Sequence, residues 1–242
     1  MSEDLTVYMH VLSPFATMAV SFINHLGLPF TEHSINIATG EHKREWYLNI
    51  NPEGKIPAIK HGDVTIGDSL KICKYLVEVN ELETPAYPYK DTKACEEIEV
   101  KLRYVEDMEA KSKLLIREGY FNPIFFGGVA ISQEEFLQKQ KDLQDVYQNL
   151  EDMLAENETK FFCGDENATL VDFYYFNIMY HAVDKDLISL DDFPLLHKWF
   201  QEVSQIESIR AIRARTTRLM RLVHVYGNYI KPVIDCVLCK RR

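Results

Sequence analysis

At 242 residues, 46% of them apolar and 26% charged, the chain has ample material for a buried core and is too apolar to be disordered. A formal charge of −10 argues against general nucleic-acid binding, and the absence of an 18-residue apolar run means that no membrane span is expected. The charge is unevenly divided: from Glu207 to Arg242 nine Lys/Arg stand against two Asp/Glu, so a basic end follows an acidic body.

Five cysteines (73, 95, 163, 236 and 239), odd in number and irregularly spaced, suit a reducing compartment, and a cytoplasmic location is expected. The opening Met1-Ser-Glu-Asp-Leu5 is acidic and lacks the apolar segment of a leader.

In chain order, Leu5 to Leu12 is a β-prone apolar run. Ser13-Pro14 then reads as a cap and first-turn proline, opening a helix that stops at Gly27. Phe30 to Ile37 alternates as a second strand, and Glu41 to Leu48 is a short helix. The stretch Asn51-Pro-Glu-Gly-Lys-Ile-Pro-Ala-Ile59 combines turn residues with a proline at the start of a strand, a position that tolerates a missing N–H. An Ile56-Pro57 bond can be cis, and such a turn can offer the backbone of Ile56 to an extended peptide. A plain loop entering a strand is the competing reading. His61-Gly62-Asp63 closes a hairpin with Val64-Thr-Ile66, and Gly67-Asp68-Ser69 starts a helix to about Val79.

The order β-α-β-α-β-β-α over about 80 residues indicates a small α/β unit with a mixed sheet. We expect it at residues 1–80, a proline-bearing linker at 81–90, and an all-helical domain at 91–242. That second half begins with a single amphipathic helix expected over Asp91 to Glu118. Tyr120 to Ala130 interrupts the pattern. Capping boxes at Ser132-Gln-Glu-Glu135 and Thr169-Leu-Val-Asp172 open two more helices, and shorter ones are expected at Phe193–Val203 and from about Ile206 to Val225.

Two helix starts carry candidate chemistry. Ser13 sits among free N–H groups at the positive end of a helix dipole, a place suited to an anion such as a thiolate, whose pKa such surroundings lower. The hydroxyl is then a donor to a bound thiolate. No cysteine lies at that helix start, which excludes dithiol exchange there. A simple N-cap is the competing role. Asp68-Ser69 repeats the arrangement: the N–H groups and hydroxyl suit a carboxylate, and Asp68 suits an ammonium group. Cys236-Val-Leu-Cys239 has metal-like spacing but no second ligand pair, so no metal site is expected.

Together these pieces resemble a family. Leu12-Ser13-Pro14, His42, Asn51-Pro52 through Lys55-Ile56-Pro57-Ala58, and Asp68-Ser69 followed by Ile72 and Tyr75-Leu76 resemble the thioredoxin-like N-terminal domain of cytosolic glutathione transferases. The likeness is greatest to the serine-using theta, delta and epsilon group. The helical second half is similar too, including Thr169-Leu-Val-Asp172 before the buried helix. The resemblance implies conjugation of glutathione, as co-substrate and with no other cofactor, to a small apolar electrophile by a homodimer. Ser13 would donate to the thiolate and Pro57 would be the cis-proline. Ile56 would pair with the cysteinyl backbone, Asp68 and Ser69 would hold the γ-glutamyl end, and His42 with Lys55 the glycine carboxylate. Tyr120, Phe121, Phe125 and Phe126 would line the electrophile pocket.

The chain also departs from the pattern. Asp68 stands where glutamate is usual, and no arginine follows Ser13-Pro14. Arg210, Arg213, Arg215, Arg218 and Arg221 share one expected helix, followed by Lys240-Arg-Arg242. That helix reads as a solvated face, as a cap over an anionic conjugate, or as a docking surface for an acidic partner in a non-catalytic binding subunit.

Overall fold

A computed structural model describes residues 4–37, 39–121, 131–157, 159–164 and 166–219, with the backbone alone for Val105, Glu106, Tyr120, Phe121 and Asn157. The first part is built on a four-stranded sheet in the order β2-β1-β3-β4, formed by β1 (Leu5–Met9), β2 (Thr31–Ser34), β3 (Ala58–His61) and β4 (Val64–Ile66). β2 runs parallel to β1, while β3 is antiparallel to both β1 and β4. Period-two alternation sends Leu5, Val7 and Met9 into the main core and Tyr8 to the opposite face.

Helices α1 (Pro14–His25) and α3 (Ser69–Val79) cover the first face through Ala16, Ala19, Ile23, Ile72 and Leu76. Over the other face lies α2 (Glu45–Leu48), where Tyr47, Ile35, Ala58 and Tyr8 form a second small cluster.

The helical part comprises α4 (Thr92–Leu102), α5 (Val105–Ile116), α6 (Gln133–Asn157), α7 (Leu170–Asp184), α8 (Pro194–Ser204) and α9 (207–219). α7 is its axis, with every residue from Leu170 to Ala182 buried. It packs on α1, where Phe173 meets Phe22 edge-on at 5.3 Å. Its capping box reaches further than a local cap. Asp172 accepts from Thr169 N at 2.7 Å and Thr169 Oγ1 at 3.1 Å, and also from Phe162 N at 3.1 Å and Trp199 Nε1 at 2.8 Å. The carboxylate therefore ties the start of α7 to α8 and the preceding turn. Glu151 of α6 does similar work on α8, accepting from Leu195 N at 3.0 Å and Leu196 N at 2.6 Å where Pro194 has no N–H to offer.

Several elements differ from expectation. The first strand stops at Met9, because Ser13 N donates to His10 O at 2.9 Å and turns the chain toward α1. β2 covers only four of the eight residues expected. The helix expected at 41–48 is a 3-10 turn (Glu41–Lys43) and α2, separated by Arg44 in an extended conformation. The single helix expected over 91–118 breaks at Arg103 and Tyr104, whose N–H groups bond three residues back at 3.2 Å. Beyond α5 the backbone opens into a π turn over Arg117–Phe121. The stretch 81–90 is packed: Ala86 and Tyr87 are buried, Ala86 O accepts from Leu170 N at 2.8 Å, and Tyr87 Oη donates to Glu99 at 3.0 Å.

Candidate functional site

Sheet register brings three loops to one edge. β1 pairs Tyr8 with Ala58, so the chain entering β3 through Ile56-Pro57 lies beside the end of β1 from which Ser13 follows. β3 pairs Ile59 with Ile66, so the exit of β4 into Gly67, Asp68 and Ser69 lies at that same end. β2 leaves the sheet there as well, because it runs parallel to β1, and leads on to His42. Pleat and pairing alone thus gather segments far apart in sequence.

Ser13 is the N-cap of α1, with its Oγ accepting from Ala16 N at 3.3 Å. The cap does not compete with a donor role. A hydroxyl accepts through its lone pairs and still has one proton to give, and that proton has no acceptor among the described residues.

The Ile56-Pro57 bond is cis, and β3 begins one residue later, at Ala58. Two side chains aim the turn, and neither was singled out as a site residue from the sequence. Tyr47 Oη donates to Lys55 O at 2.6 Å, and Asn51 Nδ2 donates to the same carbonyl at 2.7 Å. Asn51 Oδ1 accepts in turn from Glu53 N at 3.2 Å. Burial pushes the Tyr47 phenol well above its ordinary pKa, so it stays a donor. Asn51 also packs against Gly67, where a Cβ would lie 2.4 Å from Asn51 Cγ. Gly67 is therefore fixed by close approach to the turn. The signal for Asn51 was a buried polar residue inside a turn motif, but its partners depend on tertiary placement.

At the third loop, Asp68 is the exposed N-cap of α3 and accepts from Lys71 N at 2.8 Å, while Ser69 is buried. His42 is half-buried, and its Nδ1 has no hydrogen-bond partner among the described residues. Burial, with a smaller contribution from Lys43, holds its pKa below the ordinary histidine value. Lys55 is exposed and paired with Glu53 at 2.7 Å. Its ammonium is held above the ordinary range chiefly by Glu53, with smaller contributions from Asp68 and Glu109. An anion at Lys55 has to share it with Glu53.

Beside Ser13 opens a cleft of 340 Å³ between the two parts of the chain. Leu12, Pro14 and Phe15 form one wall, Ile116 and Ile178 another. Of the four aromatic residues expected to line it, Phe125 and Phe126 lie outside the described residues, as do the side chains of Tyr120 and Phe121. On the helical side the described lining comes from α5, Arg117 and α7, and includes Glu109, Ser112 and His181. His181 is buried, which holds its pKa down at about 4 and keeps the imidazole neutral near pH 7.

The basic helix α9 is turned partly toward its own chain. Arg215 grips Glu32 of β2 with two bonds of 2.6 and 2.7 Å, and Thr216 Oγ1 donates to Val11 O at 3.2 Å, two residues before Ser13. Arg213 lies 5.0 Å over the Tyr180 ring. Arg210 and Arg218 are exposed, whereas Arg221, the C-terminal basic residues and the Cys236/Cys239 pair lie outside the described residues. No cluster of metal-ligating side chains is found among the described residues, and no described helix is long and apolar enough to cross a membrane.

A thioredoxin-like sheet with a serine at the first helix start, followed by a second part that is helical among the described residues, defines a class of two-part thioredoxin-like proteins. Two family models match. One, for the N-terminal domain of glutathione S-transferase, covers residues 12–79, and one for its C-terminal domain covers residues 129–214. The chain belongs to the glutathione S-transferase family. It is 25% identical over 200 residues to glutathione S-transferase theta-1 of Homo sapiens, covering 82% of each chain. It is 26% identical over 178 residues to glutathione S-transferase PARB of Nicotiana tabacum, covering 73% of this chain and 81% of that protein. Its fold superposes on the apo form of human glutathione-S-transferase T1-1 with a TM-score of 0.80 at 20% identity, over 96% of this chain and 98% of that one. For glutathione transferase F7 from Populus trichocarpa the TM-score is 0.78 at 19% identity, over 87% and 98%.

Proposed function

We propose that the chain is an active glutathione S-transferase in which Ser13 stabilises the thiolate of bound glutathione for attack on an electrophilic carbon. The observation that carries this reading is the state of Ser13: its lone pair caps α1 while its proton has no acceptor among the described residues, beside an open apolar cleft. An O–H donor and the free N–H groups of a helix start both favour the ionised sulfur. The sulfur then forms a bond to the electrophilic carbon. The electron pair of the bond that breaks leaves with the departing group or, in an addition, passes to a neighbouring carbon that takes a proton from water. The gain comes from a more nucleophilic sulfur and from holding two reactants together, with no covalent enzyme intermediate.

Ile56, next to cis-Pro57, pairs with the cysteinyl backbone in this reading. Asp68 and Ser69 take the γ-glutamyl end, and His42 and Lys55 the glycine carboxylate. The partly committed state of Lys55, and the unpartnered Nδ1 of His42, give His42 the larger share of that last role. Association as a homodimer in the cytoplasm belongs to the same reading.

Ser13→Ala tests it. A hydrogen bond to a charged acceptor contributes about 1.5–3 kcal/mol, which corresponds to a rise of about 1–2 units in the pKa of the bound thiol. Titration of the thiolate's ultraviolet absorbance in the complex reads that rise, while retention on immobilised glutathione is largely kept. Absence of a thiolate near neutral pH in the wild-type complex defeats the reading.

A further inference from the structure

The stripe of α5 and the π turn that faces the cleft is more polar than an apolar electrophile needs. Glu109, Ser112, Lys113, Ile116 and Arg117 recur at spacings of three and four, so they share one helical face, and all five line the cleft. Ser112 is 2% exposed, and its Oγ has no hydrogen-bond partner among the described residues. Buried hydroxyls ordinarily have one, so the group is left for something that enters the cleft.

Lys113 and Arg117 are exposed at the rim and make no ion pair among the described residues. Their neighbours behave differently: Lys111 is paired with Asp107 at 2.9 Å and Lys139 with Glu118 at 3.1 Å. Glu109, the acid on the same stripe, receives the Tyr174 hydroxyl. On a chain of formal charge −10, two uncommitted cations flank one end of an apolar cleft.

We propose that the cleft selects electrophiles carrying one carboxylate on an apolar body. This inference rests on taking the cleft as the electrophile side of the glutathione site. The carboxylate meets Lys113 and Arg117 at the rim, where a guanidinium fork can engage both oxygens. The apolar body lies on Leu12, Phe15, Ile116 and Ile178. The Ser112 hydroxyl meets a second polar atom deeper in, such as the carbonyl oxygen of a keto acid.

Calorimetric titration of the full chain with octanoate and with 1-octanol separates charge from chain length. Octanoate is expected to bind about tenfold more tightly at low salt, with the preference shrinking as salt screens the rim. The double variant Lys113→Gln/Arg117→Gln is expected to bind the two ligands equally, and its melting temperature checks that it folds. Equal binding by the wild type, or a preference that survives in the double variant, overturns the proposal. For Ser112, 4-oxo-4-phenylbutanoate is expected to bind about fivefold better than 4-phenylbutanoate, and Ser112→Ala to remove that difference. A difference unchanged in Ser112→Ala refutes the assignment to Ser112. Retention of the wild type on glutathione-agarose is read separately. Retention without the octanoate preference sinks the carboxylate inference alone. The preference without retention sinks the transferase reading and leaves the cleft as a carboxylate site.

Discussion

The carbonyl of Lys55 gives a direct test of how the turn before cis-Pro57 is held. It accepts from Tyr47 Oη at 2.6 Å and from Asn51 Nδ2 at 2.7 Å, while Asn51 Oδ1 also accepts from Glu53 N at 3.2 Å. A net hydrogen bond contributes about 0.5–1.5 kcal/mol, so Tyr47→Phe is expected to cost about 1 kcal/mol and Asn51→Ala, which loses two bonds, about 1–3 kcal/mol. In each single variant the carbonyl keeps one partner. In the double variant it loses both, and the desolvation penalty of an orphaned acceptor, about 1–3 kcal/mol, appears only then. The double variant should therefore exceed the sum of the singles by about 1–2 kcal/mol. Urea denaturation of the four proteins measures this, with unchanged slopes confirming that the same transition is compared. Additivity within about 0.5 kcal/mol refutes the shared-acceptor account. Gly67→Ala reaches the same turn from the other side, since its Cβ collides with Asn51 and must displace it.

Other perturbations probe the rest of the fold. Asp172→Ala leaves four donors around an empty site, and loss of about 3–5 kcal/mol is expected in thermal or chemical unfolding. His181 sets a pH dependence. Its folded pKa near 4 lies below the ordinary histidine value of 6.5, so between those values the unfolded chain binds a proton that the native chain refuses. Stability contributed by the neutral imidazole is thus full above pH 6.5 and falls by up to about 3 kcal/mol as pH drops to 4. His181→Gln should flatten the stability profile by about one proton across that window, and an unchanged slope counts against the burial argument. Arg215→Gln removes a bidentate but partly exposed pair with Glu32, so a loss of no more than about 1 kcal/mol is expected, and it should vanish in high salt.

Much of the first part was legible in the sequence because its signals are local. Ser13-Pro14, the Ile56-Pro57 turn and Asp68-Ser69 are punctuation whose chemistry depends on neighbours one to four residues away, and the helix starts fell where the caps placed them. What local signals did not give was extent. Strands ended earlier than their apolar runs, β1 because its own chain turns where Ser13 N bonds to His10 O.

Side chains that act across the fold were hidden for a related reason. Nothing in the order of residues tells that Tyr47 and Asn51 share a carbonyl, that Asp172 reaches Trp199, or that Arg215 closes on Glu32. The cleft lining went the same way: the helix break at Arg103 and Tyr104 separates α4 from α5, whose face at Glu109, Ser112, Lys113 and Ile116 lines the cleft with Ser13, as does Arg117 at the start of the π turn.

By itself, then, the sequence determined the order of strands and helices in the first part, where its main helices start, and the family to which the chain belongs. Periodicity, capping and turn chemistry are properties of short segments. Only the tertiary structure decided what each side chain faces, since partners separated by up to 205 residues meet through strand register and helix packing that no short window contains.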